Sequence, residues 1–206
     1  MKFEGLIILI LHFPTQDEVE DKVSAEIDTP PILEVALKEI LPLINQLDPF
    51  IERVPIKTIY SSDSYQALQT ARLLSEKLNL KLVQSNLLRN IQRPHWEGLT
   101  NSEVREKHKV EFETWCERPG EVRFKDGESI EEVRKRIIAF NKLFIEPKIV
   151  VTHTTTFHSF LLENFDLNNN RAWDFKPEMY SFTVLYNGTL WGLNTRSLDY
   201  LTLHYK

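Results

Sequence analysis

The chain has 206 residues, of which 42% are hydrophobic and 27% charged, and its net charge is −5. That length suits one domain with a sizeable core, here taken as residues 1–206, and is short for two. The composition is that of a soluble globular protein, and the acidic balance excludes a nucleic-acid binder that works by neutralising many phosphates. A small anion stays possible, because a pocket can be locally positive on an acidic protein.

The single cysteine, Cys116, cannot form an internal disulfide. The first residues also lack a signal peptide's basic start and small-residue cleavage site. Together these lead to the expectation of a cytoplasmic protein. Neither a Cys/His metal spacing nor a glycine-rich phosphate loop occurs, so no metal and no cofactor is expected.

Leu6-Ile7-Ile8-Leu9-Ile10-Leu11 is a solid apolar run. It is too short to cross a bilayer, which needs about 20 residues, and no membrane is expected. It suits a strand buried on both faces of a parallel sheet. His12 follows directly, and ligands in open α/β sheets bind outside the carboxyl ends of strands. Residues 16–28 are polar and acidic and read as an exposed loop with a helical turn. Thr29-Pro30-Pro31 looks like a helix start, with helical spacing from Ile32 to Ile44. Pro42 is expected to kink or end that helix.

Residues 54–60 read as a strand, followed by Ser61-Ser62-Asp63 as an N-cap cluster and a helix through Leu74. Residues 80–83 are another short strand. This alternation points to an α/β fold with parallel pairing. Residues 86–100 are irregular, and residues 104–115 form one amphipathic helix. Ser129 and Glu132 form a capping box for a helix to about Phe144. Lys148-Ile149-Val150-Val151-Thr152 is a second buried strand that runs straight into His153. Thr154, Thr155 and Thr156 then lead into an apolar helix, whose first N–H groups suit an anion. Residues 181–186 and 190–193 are two strands around an Asn187-Gly188 turn.

Two strand-end histidines with a Ser-Ser-Asp helix cap between them form a specific combination. The chain resembles the histidine phosphatase superfamily, with its phosphoglycerate-mutase-like fold. The resemblance rests on five ordered segments: Leu11-His12-Phe13-Pro14-Thr15; Ser61-Ser62-Asp63 with Gln66 and Gln69-Thr70-Ala71; Leu88-Arg89-Asn90 before Trp96-Glu97-Gly98-Leu99-Thr100; Gly127-Glu128-Ser129; and Val150-Val151-Thr152-His153. It implies a three-layer sandwich, a mostly parallel central sheet with helices on both faces. It also implies a phosphomonoester ligand, His12 as the residue that takes the phosphoryl group, and His153 as the one that steadies the transferring oxygens.

The departures are as informative as the matches. Leu11 and Gln66 stand where the resemblance places phosphate-clamping arginines, and Asn90 stands where it places the acid that protonates the leaving group. Phe13 replaces a glycine, its ring filling either the phosphate space or simply the core. Thr15 is retained, and Thr154 follows the second histidine. A transition-state arginine contributes about 10³–10⁵ in phosphoryl-transfer enzymes, and a general acid about 10²–10⁴. The expectation is therefore a phosphatase-fold protein with lost or strongly reduced hydrolysis and a binding or regulatory role. The alternative is an active enzyme with a rearranged pocket, helped by Arg89, Arg93, His95, His158 or a substitute acid such as Glu18 or Glu97. The partner in either case is a small phosphorylated molecule or another anion.

Overall fold

The computed structural model describes residues 5–24 and 31–198. Six strands form one sheet in the order β3-β2-β4-β1-β5-β6. These are β1 (Ile7–Leu11), β2 (Thr58–Ser61), β3 (Lys81–Gln84), β4 (Lys148–Thr152), β5 (Phe182–Tyr186) and β6 (Thr189–Thr195). The first four pair in parallel, and β5 and β6 add an antiparallel hairpin at the edge beside β1. Asn187 and Gly188 close that hairpin with positive φ values of 48° and 73°. Two such residues in succession give the turn whose twist matches the strands.

Side chains alternate across the central strands, as the period-2 geometry of a strand dictates. Ile8 and Ile10 join Ile59, Ile149 and Val151 under helices α2 (Ala36–Ile51) and α3 (Tyr65–Leu78). Ile7, Leu9, Leu11, Tyr60 and Val150 face the other way, onto α6 (Ile130–Leu143) and α7 (Thr154–Asn164). This is the expected three-layer sandwich. A third apolar cluster, built on Trp96, Trp115, Phe124 and Ala172, gathers the loops and the short helices α4 (Asn101–Lys107) and α5 (Lys109–Glu117) into a cap. A one-turn helix, α1 (Gln16–Val19), lies just after β1. Among the described residues no helix is long and apolar enough to cross a membrane.

Three local expectations need correction. Helix α2 starts at Ala36 and continues through Pro42 and Pro49 to Ile51. Its inner face of Ile40, Leu43, Leu47 and Phe50 is buried, and that burial outweighs the hydrogen bonds the prolines cannot donate. Of the proposed start, Thr29 and Pro30 lie outside the described residues. The single helix over residues 104–115 is two helices broken at His108, where φ is −127° and ψ 39°. Helix α3 is capped from Ser64 rather than from the Ser61-Ser62-Asp63 cluster. The last helix, α7, begins at Thr154, immediately after His153 as expected, and takes in the three threonines ahead of Phe157.

Candidate functional site

The register of β1 on β4 builds the site. Leu11 pairs with Thr152, the last residue of each strand. One step further, the His12 N–H donates to the Thr152 carbonyl at 2.9 Å. His12 and His153 thus leave neighbouring parallel strands side by side, with ring centroids 4.8 Å apart and planes at 59°. Both are nearly enclosed, at 7% and 2% exposure, and both line a cleft of about 350 Å³.

The two rings are held differently. His12 Nδ1 lies 2.9 Å from the Phe13 carbonyl, so this nitrogen carries the proton and donates, and Nε2 keeps its lone pair. His12 Nε2 is 3.8 Å from a Glu18 carboxylate oxygen. Burial pulls the pKa of His12 below the usual imidazole value, against the opposing pull of Glu18 and the Phe13 carbonyl. His153 is lowered further, by burial first and then by the charges of His12 and Arg136. Both rings are therefore neutral at neutral pH. His153 Nε2 shares a 2.8 Å hydrogen bond with Ser64 Oγ, which in turn accepts from Ser62 Oγ at 3.1 Å. Ser64 spends its hydroxyl on the imidazole instead of on the helix end it caps.

The sequence matches the family model of the Histidine phosphatase superfamily (branch 1) over residues 18–192. The chain belongs to that superfamily. It is 26% identical over 141 residues to Phosphoserine phosphatase 1 of Hydrogenobacter thermophilus, a match that spans 66% of this chain and 67% of that protein. Among solved structures it superposes on a putative alpha-ribazole-5'-P phosphatase from Escherichia coli with a TM-score of 0.79, at 19% identity over 94% of this chain and 97% of the other. A mutant phosphoserine phosphatase from Entamoeba histolytica in complex with phosphoserine gives 0.72, at 18% identity over 93% and 97%. At such identities these likenesses concern the fold.

Within this superfamily frame the departing residues separate into two groups. Gln66, Asn90 and Thr154 line the cleft together with the two histidines. The amide oxygen of Asn90 is buried and has no hydrogen-bond partner among the described residues. Leu11 and Phe13 do not line the cleft. Leu11 packs in the core beneath α6 and α7. Phe13 turns its ring into the opposite core, 5.1 Å from the Tyr180 ring, while its N–H donates to Thr70 Oγ1 at 2.9 Å. The phosphate space is therefore clear of the Phe13 ring. Thr15 is also fully buried and away from the cleft lining. Its N–H and hydroxyl both donate to Glu18, at 2.7 and 2.6 Å, so it acts by holding the carboxylate beside His12.

Of the substitute cations weighed above, one reaches the cleft. Arg89 is tied by two parallel bonds of 2.7 and 2.8 Å to Asp63. His95 is turned to Glu111 at 2.6 Å, outside the cleft lining. His158 is buried against the Phe175 carbonyl and pulled down to about 4, so it is neutral. Arg93, by contrast, lines the cleft and stacks over Trp96 at 5.5 Å. Among the described residues its guanidinium makes no hydrogen bond. Burial lowers its pKa to about 10 against the opposing charge of Glu97, and it stays cationic at neutral pH. Lys22 also lines the cleft but is paired with Glu20.

Glu18, Asp21 and Glu97 sit on the same walls, so acids outnumber cations around the two neutral imidazoles. Trp115 and Trp173 close one side, with rings 4.9 Å apart. Ser64 and Lys22 carried no signal in the sequence beyond their place near a motif, because what brings them in is the chain path after β2 and α1.

The loop bearing Asn90 and Arg93 is fixed from behind. Arg136 grips Glu128 with two bonds of 2.8 Å and donates to the carbonyls of Leu87, Arg89 and Asn90. Thr152 and Thr156 hydroxyls donate to the carbonyls of Leu88 and Arg89. Glu128 also accepts the Gln92 N–H at 3.1 Å. The Gly-Glu-Ser turn is thus a scaffold for the loop rather than a contributor to the cleft lining.

Proposed function

We propose that this chain, as one histidine-phosphatase domain in a reducing cytoplasmic setting, binds a small phosphorylated molecule and hydrolyses it very slowly or not at all, serving a binding or regulatory role. The observation that carries this is the pair Gln66 and Asn90 on the cleft wall. They occupy the positions at which the resemblance calls for a clamping arginine and a proton-donating acid. An amide cannot protonate a leaving alkoxide, and phosphoryl transfer depends on charge stabilisation in place at the transition state. The excess of carboxylates on the walls adds to this, because the incoming group carries close to two negative charges at pH 7. Binding is supported by the first N–H groups of α7, which have no intrahelical acceptor, by Arg93, and by the relative that holds phosphoserine.

The test is hydrolysis of p-nitrophenyl phosphate by the pure chain and by His12→Ala. The expected result is a rate near background for both. Brisk turnover that disappears in His12→Ala overturns the proposal.

One observation favours a second reading, a slow phosphotransferase. His12 Nε2 has its lone pair free on the cleft side, ready to form a bond to phosphorus as the bond to the leaving oxygen breaks. The leaving oxygen then needs a proton from another acid, and Glu18 is the carboxylic group nearest that nitrogen. Acid-labile phosphate trapped on His12 after incubation with phosphoserine, and absent from His12→Ala, would establish it.

A further inference from the structure

Three side chains outside the cleft form a cluster that the functional reading leaves unused. His95, His108 and Glu111 each offer one ligand atom, and these atoms lie within 4.8 Å of one another. We propose that His95, His108 and Glu111 form a binding site for one divalent transition metal of the zinc class, which clamps the Asn90–Arg93 loop to the cap.

The donor set is the first argument. Two imidazoles and a carboxylate are ligands that zinc accepts readily, with water as a fourth. In a tetrahedral site with bonds of about 2.0–2.1 Å, ligand atoms are about 3.3 Å apart. His95 Nε2 and Glu111 Oε2 are already at 2.6 Å, so they must part slightly while the third ligand closes in. All three residues are partly exposed, which gives a cation access and gives the side chains room for that adjustment.

The backbone is the second argument. His108 ends α4 and opens α5, at the break that splits the expected single helix. Glu111 stands three residues further on, in the first turn of α5, and positions three apart share a helix face. His95 comes from the other side, in the one-turn helix Pro94–Trp96. Its ring lies 5.0 Å from that of His108, nearly perpendicular to it.

The surroundings are the third argument. The Trp96 indole N–H donates to the same Glu111 oxygen at 2.9 Å, the kind of outer contact that fixes a ligating carboxylate. Among the described residues His95 Nδ1 is buried with no hydrogen-bond partner, and the ring's one hydrogen bond there is to Glu111. A metal at Nε2 takes the place of the proton shared with Glu111, and the neutral ring then carries its proton on Nδ1. No spacing rule picks the trio out, since His95 lies in an irregular loop and His108 at a break hidden by helical periodicity.

The test is titration of the chelator-stripped chain with Zn²⁺ alone, in competition with a chromophoric zinc indicator, on the wild type and on His108→Ala, Glu111→Gln and His12→Ala. His12→Ala controls for zinc captured by the paired imidazoles of the cleft. The expected result is one saturable site per chain, weakened tenfold or more in His108→Ala and Glu111→Gln and unchanged in His12→Ala. Zinc should also raise the urea midpoint of the wild type but not of Glu111→Gln. The absence of a saturable site, or a site lost in His12→Ala and kept in His108→Ala, overturns the proposal. Should His108→Ala fail to fold, Glu111→Gln carries the same comparison.

Discussion

Leu11 and Thr152 are register partners on adjacent parallel strands, and that pairing sets His12 and His153 ring to ring at 4.8 Å. The separation is a property of the sheet backbone. It does not rest on Leu11, Gln66 or Asn90, because neither strand depends on those three side chains for its hydrogen bonds.

The loop behind the cleft depends on Gly127. A Cβ at that position would lie 2.1 Å from the Gln92 carbonyl oxygen and 3.1 Å from the Phe124 Cβ. The Gln92 oxygen cannot move away cheaply, because it accepts the Glu128 N–H at 2.9 Å. Gly127→Ala is therefore expected to destabilise the fold by about 1–3 kcal/mol, the usual range for an overpacked site. Urea unfolding measures this directly. An unchanged midpoint would mean that the loop has room the structure denies it.

What could be read from the sequence, and what could not, follows from where each signal lies. Residues 6–11 and 149–152 announce buried strands because every side chain is apolar or β-branched, and a helix of that length would be marginal. The Ser129–Glu132 capping box was legible because it is local, with Ser129 N–H donating to Glu132 at 2.8 Å. The path of α2 through Pro42 was not, because burial of Leu43, Leu47 and Phe50 is a tertiary effect. The break at His108 escaped for the opposite reason: Val104, Phe112 and Trp115 keep helical spacing across it. At the site, the two histidines were legible as strand ends. The fate of Leu11 and Phe13 depended on which face of β1 each side chain takes, and that of Thr15 on its bonds to Glu18. The role of Ser64 depended on a residue 89 positions away.

If the proposed loss of hydrolysis is right, raising it needs fewer changes than the resemblance suggests. Of the four departures, Gln66 and Asn90 open on the cleft, whereas Leu11 and Phe13 are core residues. Gln66→Arg with Asn90→Glu should raise p-nitrophenyl phosphate hydrolysis by about 10² or more, the low end of what a general acid contributes. Phe13→Gly, by contrast, is expected to cost at least about 3–5 kcal/mol of stability, the range for emptying a buried aromatic site. A folded double variant with no gain in rate would speak against the residue assignments. Steady-state rates and urea midpoints on the same preparations separate the two effects.

Three buried imidazoles make the fold sensitive to acid. His12, His153 and His158 are all shifted below the usual imidazole value, chiefly by burial. The unfolded chain therefore binds more protons than the folded one once the pH drops below about 6.5. Stability is fully present above that pH and is lost as the pH falls toward the folded values. For His158, held at about 4, the loss across this window is about 3 kcal/mol. His158→Gln keeps a donor for the Phe175 carbonyl but cannot be charged. Urea midpoints at pH 7 and pH 4.5 should fall less in this variant than in the wild type. An equal fall in both would locate the acid sensitivity elsewhere.

Arg93 should carry much of whatever phosphate affinity the cleft has. Among the residues lining the cleft, Arg93 and Lys22 are the cations, and Lys22 already pairs with Glu20. Arg93 keeps its charge near neutrality despite burial, and Trp96 supports it from below at 5.5 Å. A hydrogen bond from a charged donor contributes about 1.5–3 kcal/mol. Arg93→Gln should therefore weaken phosphoserine binding about 10- to 100-fold. Lys22→Gln, at an exposed and already paired position, should weaken it by much less. Calorimetric titration of both variants with phosphoserine makes the comparison. Equal affinity in the wild type and Arg93→Gln would place the phosphate against the α7 N-terminus alone, held by backbone N–H groups instead of by a guanidinium.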